Sequence, residues 1–155
     1  IVGNLYDVRI PKAVRQKVAS RGLVQRYPDA ALISRHISSG MIKIQESVGE
    51  HPLSPLSLHK GEAEALRLAR MLNGSILATD DGKAIKAARF LNIPFIITPK
   101  LVVGLFGLQK ISLKTARLSL EKLSMIGRYS PEIIAQALIS LMEIKNDETN
   151  YRQDT

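Results

Sequence analysis

Apolar residues along this chain follow two periods, and the alternation between them outlines its elements. Period-two or short continuous apolar runs fall at Leu5–Ile10, Met41–Glu46, Ser75–Thr79 and Ile93–Ile97, and read as strands. Between them the period lengthens to that of helices. One helix starts at Pro11, runs through Val18 and is ended by Gly22; a second covers Asp29–Ile37 and stops at Ser38, Ser39 and Gly40. Pro52, Pro55 and several serines make Val48–Leu58 a loop. Further helices open at Gly61 and Lys83, the chain turns helical again from Leu101, and Ser112–Met125 and Pro131–Ile144 follow, the last with Ser130 as N-cap. Strands alternating with helices predict an α/β/α three-layer domain with a mainly parallel sheet.

On a helical wheel the helix opened by Gly61 gathers Ala65, Leu66, Leu68, Ala69 and Leu72 on one face. Glu62 falls on that same face, so its carboxylate must be paired, protonated or bound to a metal. Glu64 lies at the edge beside Arg67. The run Ser75–Thr79 ends in Asp80 and Asp81, placing two carboxylates at a strand's C-terminal end, the edge at which open α/β sheets bind ligands. Glu62, Asp80 and Asp81 could therefore meet at one mouth as oxygen ligands for Mg²⁺ or Mn²⁺. The same residues also suit a metal-free role, the aspartates capping the following helix and the glutamates favouring the positive end of theirs.

In the Lys83–Leu91 helix, Ala84, Ala87, Ala88 and Leu91 point inward and Lys83, Lys86 and Arg89 outward, flanking the acidic mouth; Phe90 is read as a packing residue. In Ser112–Met125, one stripe holds Leu113, Ala116, Leu120 and Leu123, with Leu118 and Met125 nearly opposite, a pattern that predicts burial between two neighbours. Asp7 is expected to face solvent.

Composition narrows the chemistry. Twenty-two basic against fourteen acidic residues give a net charge of +8 and a pI near 9.9, so the surface attracts polyanions. The absence of cysteine excludes disulfides, thiolate nucleophiles and zinc–thiolate sites, and suits a reducing cytoplasm. His36, His51 and His59 lack metal-ligand spacing. The longest apolar run, Leu101–Leu108, is too short to span a membrane, and no secretory signal pattern is visible. No glycine-rich phosphate loop supports a nucleotide-binding reading.

The strings GEAEALRLA, ILATDD and IPFIIT, in this order and spacing, resemble the PIN domain family, most closely its small prokaryotic toxin-like branch. Downstream, ISLKTARLSLEKLSMIGRYSPEIIAQAL is similar to that branch's C-terminal helical pair, so the likeness spans about Tyr6 to Leu141. The resemblance implies one PIN-like domain over residues 1–144 with a polar tail at 145–155, and a metal-dependent ribonuclease. Glu62, Asp80 and Asp81 would bind Mg²⁺ or Mn²⁺ and activate water, with Glu64 as the reserve ligand, while Lys83, Lys86 and Arg89 hold RNA. An antitoxin-like protein and a second copy of the chain are the implied protein partners. Two departures stand against that pattern. The family's first strand, with its aspartate, has no counterpart ahead of LYDVRIP, which makes the domain N-terminally incomplete, and Lys17 stands where a glutamate is usual. The alternative is a degenerate, non-catalytic PIN domain that binds RNA or a partner protein.

Overall fold

A computed structural model describes residues 2–47, 58–127 and 129–151. The chain is mixed α/β and divides into two compact units, Ile1–Phe95 and Ile96–Thr155.

The first unit begins with a short helix α1 (Val2–Leu5) and strand β1 (Val8–Ile10). The strand is thus shorter than the sequence pattern implies, because Val2–Leu5 coils into a helical turn. Extended Pro11 (φ −73°, ψ 162°) precedes helix α2 (Lys12–Ala19). Gly22 does not end α2. Ser20 does, by turning extended (φ −66°, ψ 156°), and Gly22 sits inside a short helix α3 (Arg21–Arg26) that the hydrophobic pattern missed. Helix α4 (Pro28–Ser38) closes through Gly40 at φ +76°, a left-handed conformation that costs glycine nothing. Strand β2 (Ile42–Ile44) then pairs with β1 in parallel, Val8 opposite Ile42 and Ile10 opposite Ile44. Asp7, exposed at the start of β1, bonds Arg9 at 2.5 Å and Lys43 at 2.9 Å, as its solvent-facing assignment requires. The proline-rich loop at Val48–Leu58 lies outside the described residues except for Leu58.

Helix α5 (Lys60–Met71) buries Gly61, Leu66 and Leu68. Strand β3 (Leu77–Ala78) leads into helix α6 (Gly82–Phe90), and strand β4 (Phe95–Ile96) pairs with β3, the Leu77 N–H donating to the Pro94 carbonyl at 2.8 Å. Pro94 has no N–H to give, so its place at the head of the strand loses nothing. Leu66, Leu77, Ala87, Ala88 and Ile93 form the core here, with Ala65, Ala69 and Leu91 packed around them, the face expected from the wheel.

In the second unit, helices α7 (Thr98–Gly107), α8 (Leu113–Met125) and α9 (Pro131–Tyr151) enclose Val102, Phe106, Ala116, Leu120, Ala137 and Leu141. The Ser112 hydroxyl caps α8 by accepting from the Thr115 N–H at 3.1 Å. Two expectations change. Leu118 and Met125 are not buried by a second neighbour; both are exposed, Met125 to 85%. Helix α9 also continues past Ile144 to Tyr151, since 145–151 contains neither proline nor glycine to stop it. Among the described residues no helix is long and apolar enough to cross a membrane.

The two faces of α8 make a direct comparison. Leu120→Ala should lower stability by about 2–5 kcal/mol through a core cavity, whereas Leu118→Ala should stay within about 0.5 kcal/mol of the native chain in urea unfolding. Equal losses would place Leu118 in a buried contact.

Candidate functional site

The start of α5 lies against α2. Gly61 is buried, and a Cβ there would meet Val14 Cγ2 at 3.5 Å, so the two helices approach closely at Ala13, Val14 and Gly61. This contact sets the next residue, Glu62, toward α2. Its Oε1 accepts from the Lys17 Nζ at 2.9 Å. The Glu62 side chain is only 14% exposed, whereas that of Lys17 is 63% exposed, so the ammonium reaches in from solvent to a carboxylate that the fold largely covers. Glu62 is therefore paired, one of the three states its place on the apolar face allowed. The Lys17 ammonium holds its carboxyl below the ordinary glutamate value, against the opposite push of burial. Glu62 Oε2 is buried and has no hydrogen-bond partner.

Glu64 has a second anchor in α2. Its Oε2 accepts from the Ala13 N–H at 3.2 Å, one of the amides that a helix's first turn cannot satisfy internally. A carboxylate there also opposes the positive end of the helix dipole. No local pattern around Glu64 signals this partner, which lies 51 residues away.

Asp81 is the N-cap of α6. In extended conformation (φ −77°, ψ 121°), it accepts from the Ala84 N–H at 2.8 Å through Oδ1, while its own N–H donates to Thr79 Oγ1 at 3.2 Å. Such a cap stabilises a helix by about 1 kcal/mol. Asp80 is exposed and has a partner of its own. Among the described residues no group of three or more histidine, aspartate or glutamate side chains is close enough together to hold a metal ion. His59 is exposed ahead of α5, and His36 is partly buried in α4 with Nδ1 unbonded; His51 lies outside the described residues.

Lys83, Lys86 and Arg89 are all exposed on α6, as expected from its inward-facing alanines. The Arg89 guanidinium lies 5.5 Å from the centroid of the Phe95 ring, a cation–π distance. Phe90 corrects the packing assignment, for it is 78% exposed. A signal for this was present in the sequence. Lys83, Lys86 and Phe90 occupy i, i+3 and i+7 and so share one stripe, away from the buried alanines.

The covered Glu62 on α5, the Asp81 cap and the outward basic face of α6 belong to one mixed α/β chain. A family model described as a PIN domain matches residues 1–143, and the chain belongs to the PIN domain family, a nuclease-type domain. No curated protein and no solved structure matches it.

The Lys17–Glu62 pair fixes a pH signature. The folded-state pKa of Glu62 is depressed, so its contribution is fully present above the ordinary glutamate value of about 4.3 and is lost as pH falls through the depressed value. Lys17→Met removes the partner and leaves a covered, unpaired carboxylate. That variant should be about 1 kcal/mol less stable than the native chain at pH 7, and the gap should narrow on acidification below about pH 5. With Glu62→Gln in both backgrounds the gap should no longer depend on pH in urea unfolding.

Proposed function

We propose that the chain is a PIN-type ribonuclease domain that depends on Mg²⁺ or Mn²⁺, with Glu62, Asp80 and Asp81 as ligands and Glu64 in reserve. The observation that carries this reading is Glu62 Oε2, a covered oxygen of a carboxylate held ionised, with no donor of its own. An acceptor in that condition calls for a cation or a proton. Mg²⁺ suits it, because that ion is commonly held by one or two carboxylates, with water and phosphate oxygens filling its remaining positions. Among the described residues Glu62, Asp80 and Asp81 do not form a tight three-acid group, so the reading rests on Glu62, with the aspartates as its proposed co-ligands. When bound, the ion would acidify a water and offset charge on the phosphate.

The chain's own residues supply the rest. Lys83, Lys86 and Arg89 hold the phosphate backbone, which positions a strand without reading its sequence. Lys17 has two effects. Its ammonium keeps Glu62 ionised and oriented, and it competes with any cation for the same carboxylate, which makes metal affinity weak and cleavage slow. A second reading rests on the same contacts. With Glu62 tied to Lys17, Glu64 to Ala13 and Asp81 to Ala84, these acids all serve the fold, as in a non-catalytic PIN domain that binds RNA or a partner protein. The proposed protein partners are an antitoxin-like protein, which would make this chain the toxin half of a pair, and a second copy of the chain. Exposed Leu118, Met125, Ile126 and Ile139 support either, as apolar surface without cover in the single chain.

Calorimetry with Mn²⁺ and an RNA cleavage assay separate the two readings. The native chain should bind Mn²⁺ weakly and cleave slowly, Lys17→Gln should tighten binding, and Glu62→Gln should abolish both. Undiminished RNA binding without cleavage in the native chain and in Lys17→Gln would establish the non-catalytic reading.

RNA affinity should fall steeply with salt through counterion release. Replacing Lys83, Lys86 and Arg89 with alanine should flatten the log–log slope by up to about 2–3. An unchanged slope would remove α6 from the footprint.

A further inference from the structure

We infer that Phe90 is a stacking platform for an unpaired base, so that the nucleic acid engaged along α6 is single-stranded. The inference deepens the reading of Lys83, Lys86 and Arg89 as RNA contacts and rests on it. A phenyl ring 78% exposed on a well-formed helix is unusual beside a core that takes in its neighbours Ala87, Ala88 and Leu91. The ring is not on a fraying end. The Leu91 N–H donates to the Ala87 carbonyl at 2.9 Å, Asn92 turns left-handed at φ +54°, and the Ile93 N–H returns to the Ala88 carbonyl at 2.8 Å, which closes the helix just after Phe90. The backbone under the ring is therefore held in place.

Its surroundings select a polyanion. Helix α6 carries Lys83, Lys86 and Arg89 and no acidic residue between Gly82 and Phe90, and the stripe of Lys83, Lys86 and Phe90 runs from the Asp81 cap to the helix's last turn. About 13 Å of helix axis separates the two ends. Cations tracking a backbone beside an aromatic that accepts a base is the arrangement by which proteins hold single strands, since every base offers a π-face. A duplex offers no such face, because its bases are already stacked and its accessible surface is sugar, phosphate and base edges. An acid-free helix face gives an apolar protein partner no reason to prefer it, whereas a single-stranded polyanion matches both the charge and the ring.

The chain contains no tryptophan, so Phe90→Trp installs a single reporter. Binding of a single-stranded oligonucleotide and of a duplex of the same sequence is measured on the full chain in chelator, which keeps the result independent of metal and cleavage. Phe90→Ala should weaken single-strand binding roughly five- to a hundred-fold and leave duplex binding nearly unchanged, while Phe90→Tyr retains affinity. Single strands, and not duplex, should quench the fluorescence of Phe90→Trp, a readout that stands even if the alanine variant folds poorly. An unchanged single-strand affinity in Phe90→Ala, an equal loss for duplex, or no quenching would overturn the inference. If the Lys83, Lys86 and Arg89 alanine variant loses RNA while Phe90→Ala does not, only the stacking role fails. If the native chain binds no RNA, both fail. A changed oligomeric state in Phe90→Ala with RNA affinity intact would mark the ring as a protein contact and also overturn it.

Discussion

A carboxylate placed among leucines has to be answered, and the answer given to Glu62 organises the first half of the chain. Burying an ionised group without a partner costs several kcal/mol, so a helix with glutamate on its apolar face packs only where a cation or donor is supplied. Helix α2 supplies one from its exposed side, as Lys17 extends from solvent to the covered Oε1. Gly61 is buried against Val14 where the two helices meet, and Glu64 adds a second tie to the first turn of α2. Sequence, helix packing and local electrostatics thus depend on one short stretch, Gly61–Glu64.

Asp81 is held by the fold as well. Asp81 gives one oxygen to the Ala84 amide and so fixes where α6 starts, which in turn sets the direction of the basic stripe. A carboxylate has two oxygens and about four lone-pair positions, so a structural bond leaves acceptor capacity over. At Glu62 the structure locates the remainder, since Oε2 is covered and unbonded. Every donor that steadies a carboxylate also reduces its attraction for any further cation.

Much of this could be read from the residues. The wheel placed Glu62 inward and Lys83, Lys86 and Arg89 outward, because a 3.6-residue period survives in any helix that covers a core. Asp81 was recognisable as a candidate cap for local chemical reasons. What stayed hidden was non-local or negative. The Glu64–Ala13 bond joins residues 51 positions apart, and the end of α2 at Ser20 depends on a backbone turn to which Gly22 pointed wrongly. Leu118 and Met125 failed for a shared reason, whereas Phe90 shares a stripe with Lys83 and Lys86 that did point outward. Hydrophobic residues inside is a one-way rule, and nothing in the apolar pattern around Leu118 and Met125 distinguishes them from buried residues.

The exposed residues also differ in kind between the two units. On α6 the outward face combines three cations with one aromatic and contains no acid. Around α8 and α9 the exposed large hydrophobic residues are aliphatic or methionine, Leu118, Met125, Ile126, Ile133, Ile139 and Met142. Charge with a π-face and uncharged apolar area reward different partners, the first through counterion release and stacking, the second through burial. Salt separates them, since it weakens the first strongly and leaves the second nearly untouched. The two surfaces belong to different compact units, α6 to the first and α8 and α9 to the second.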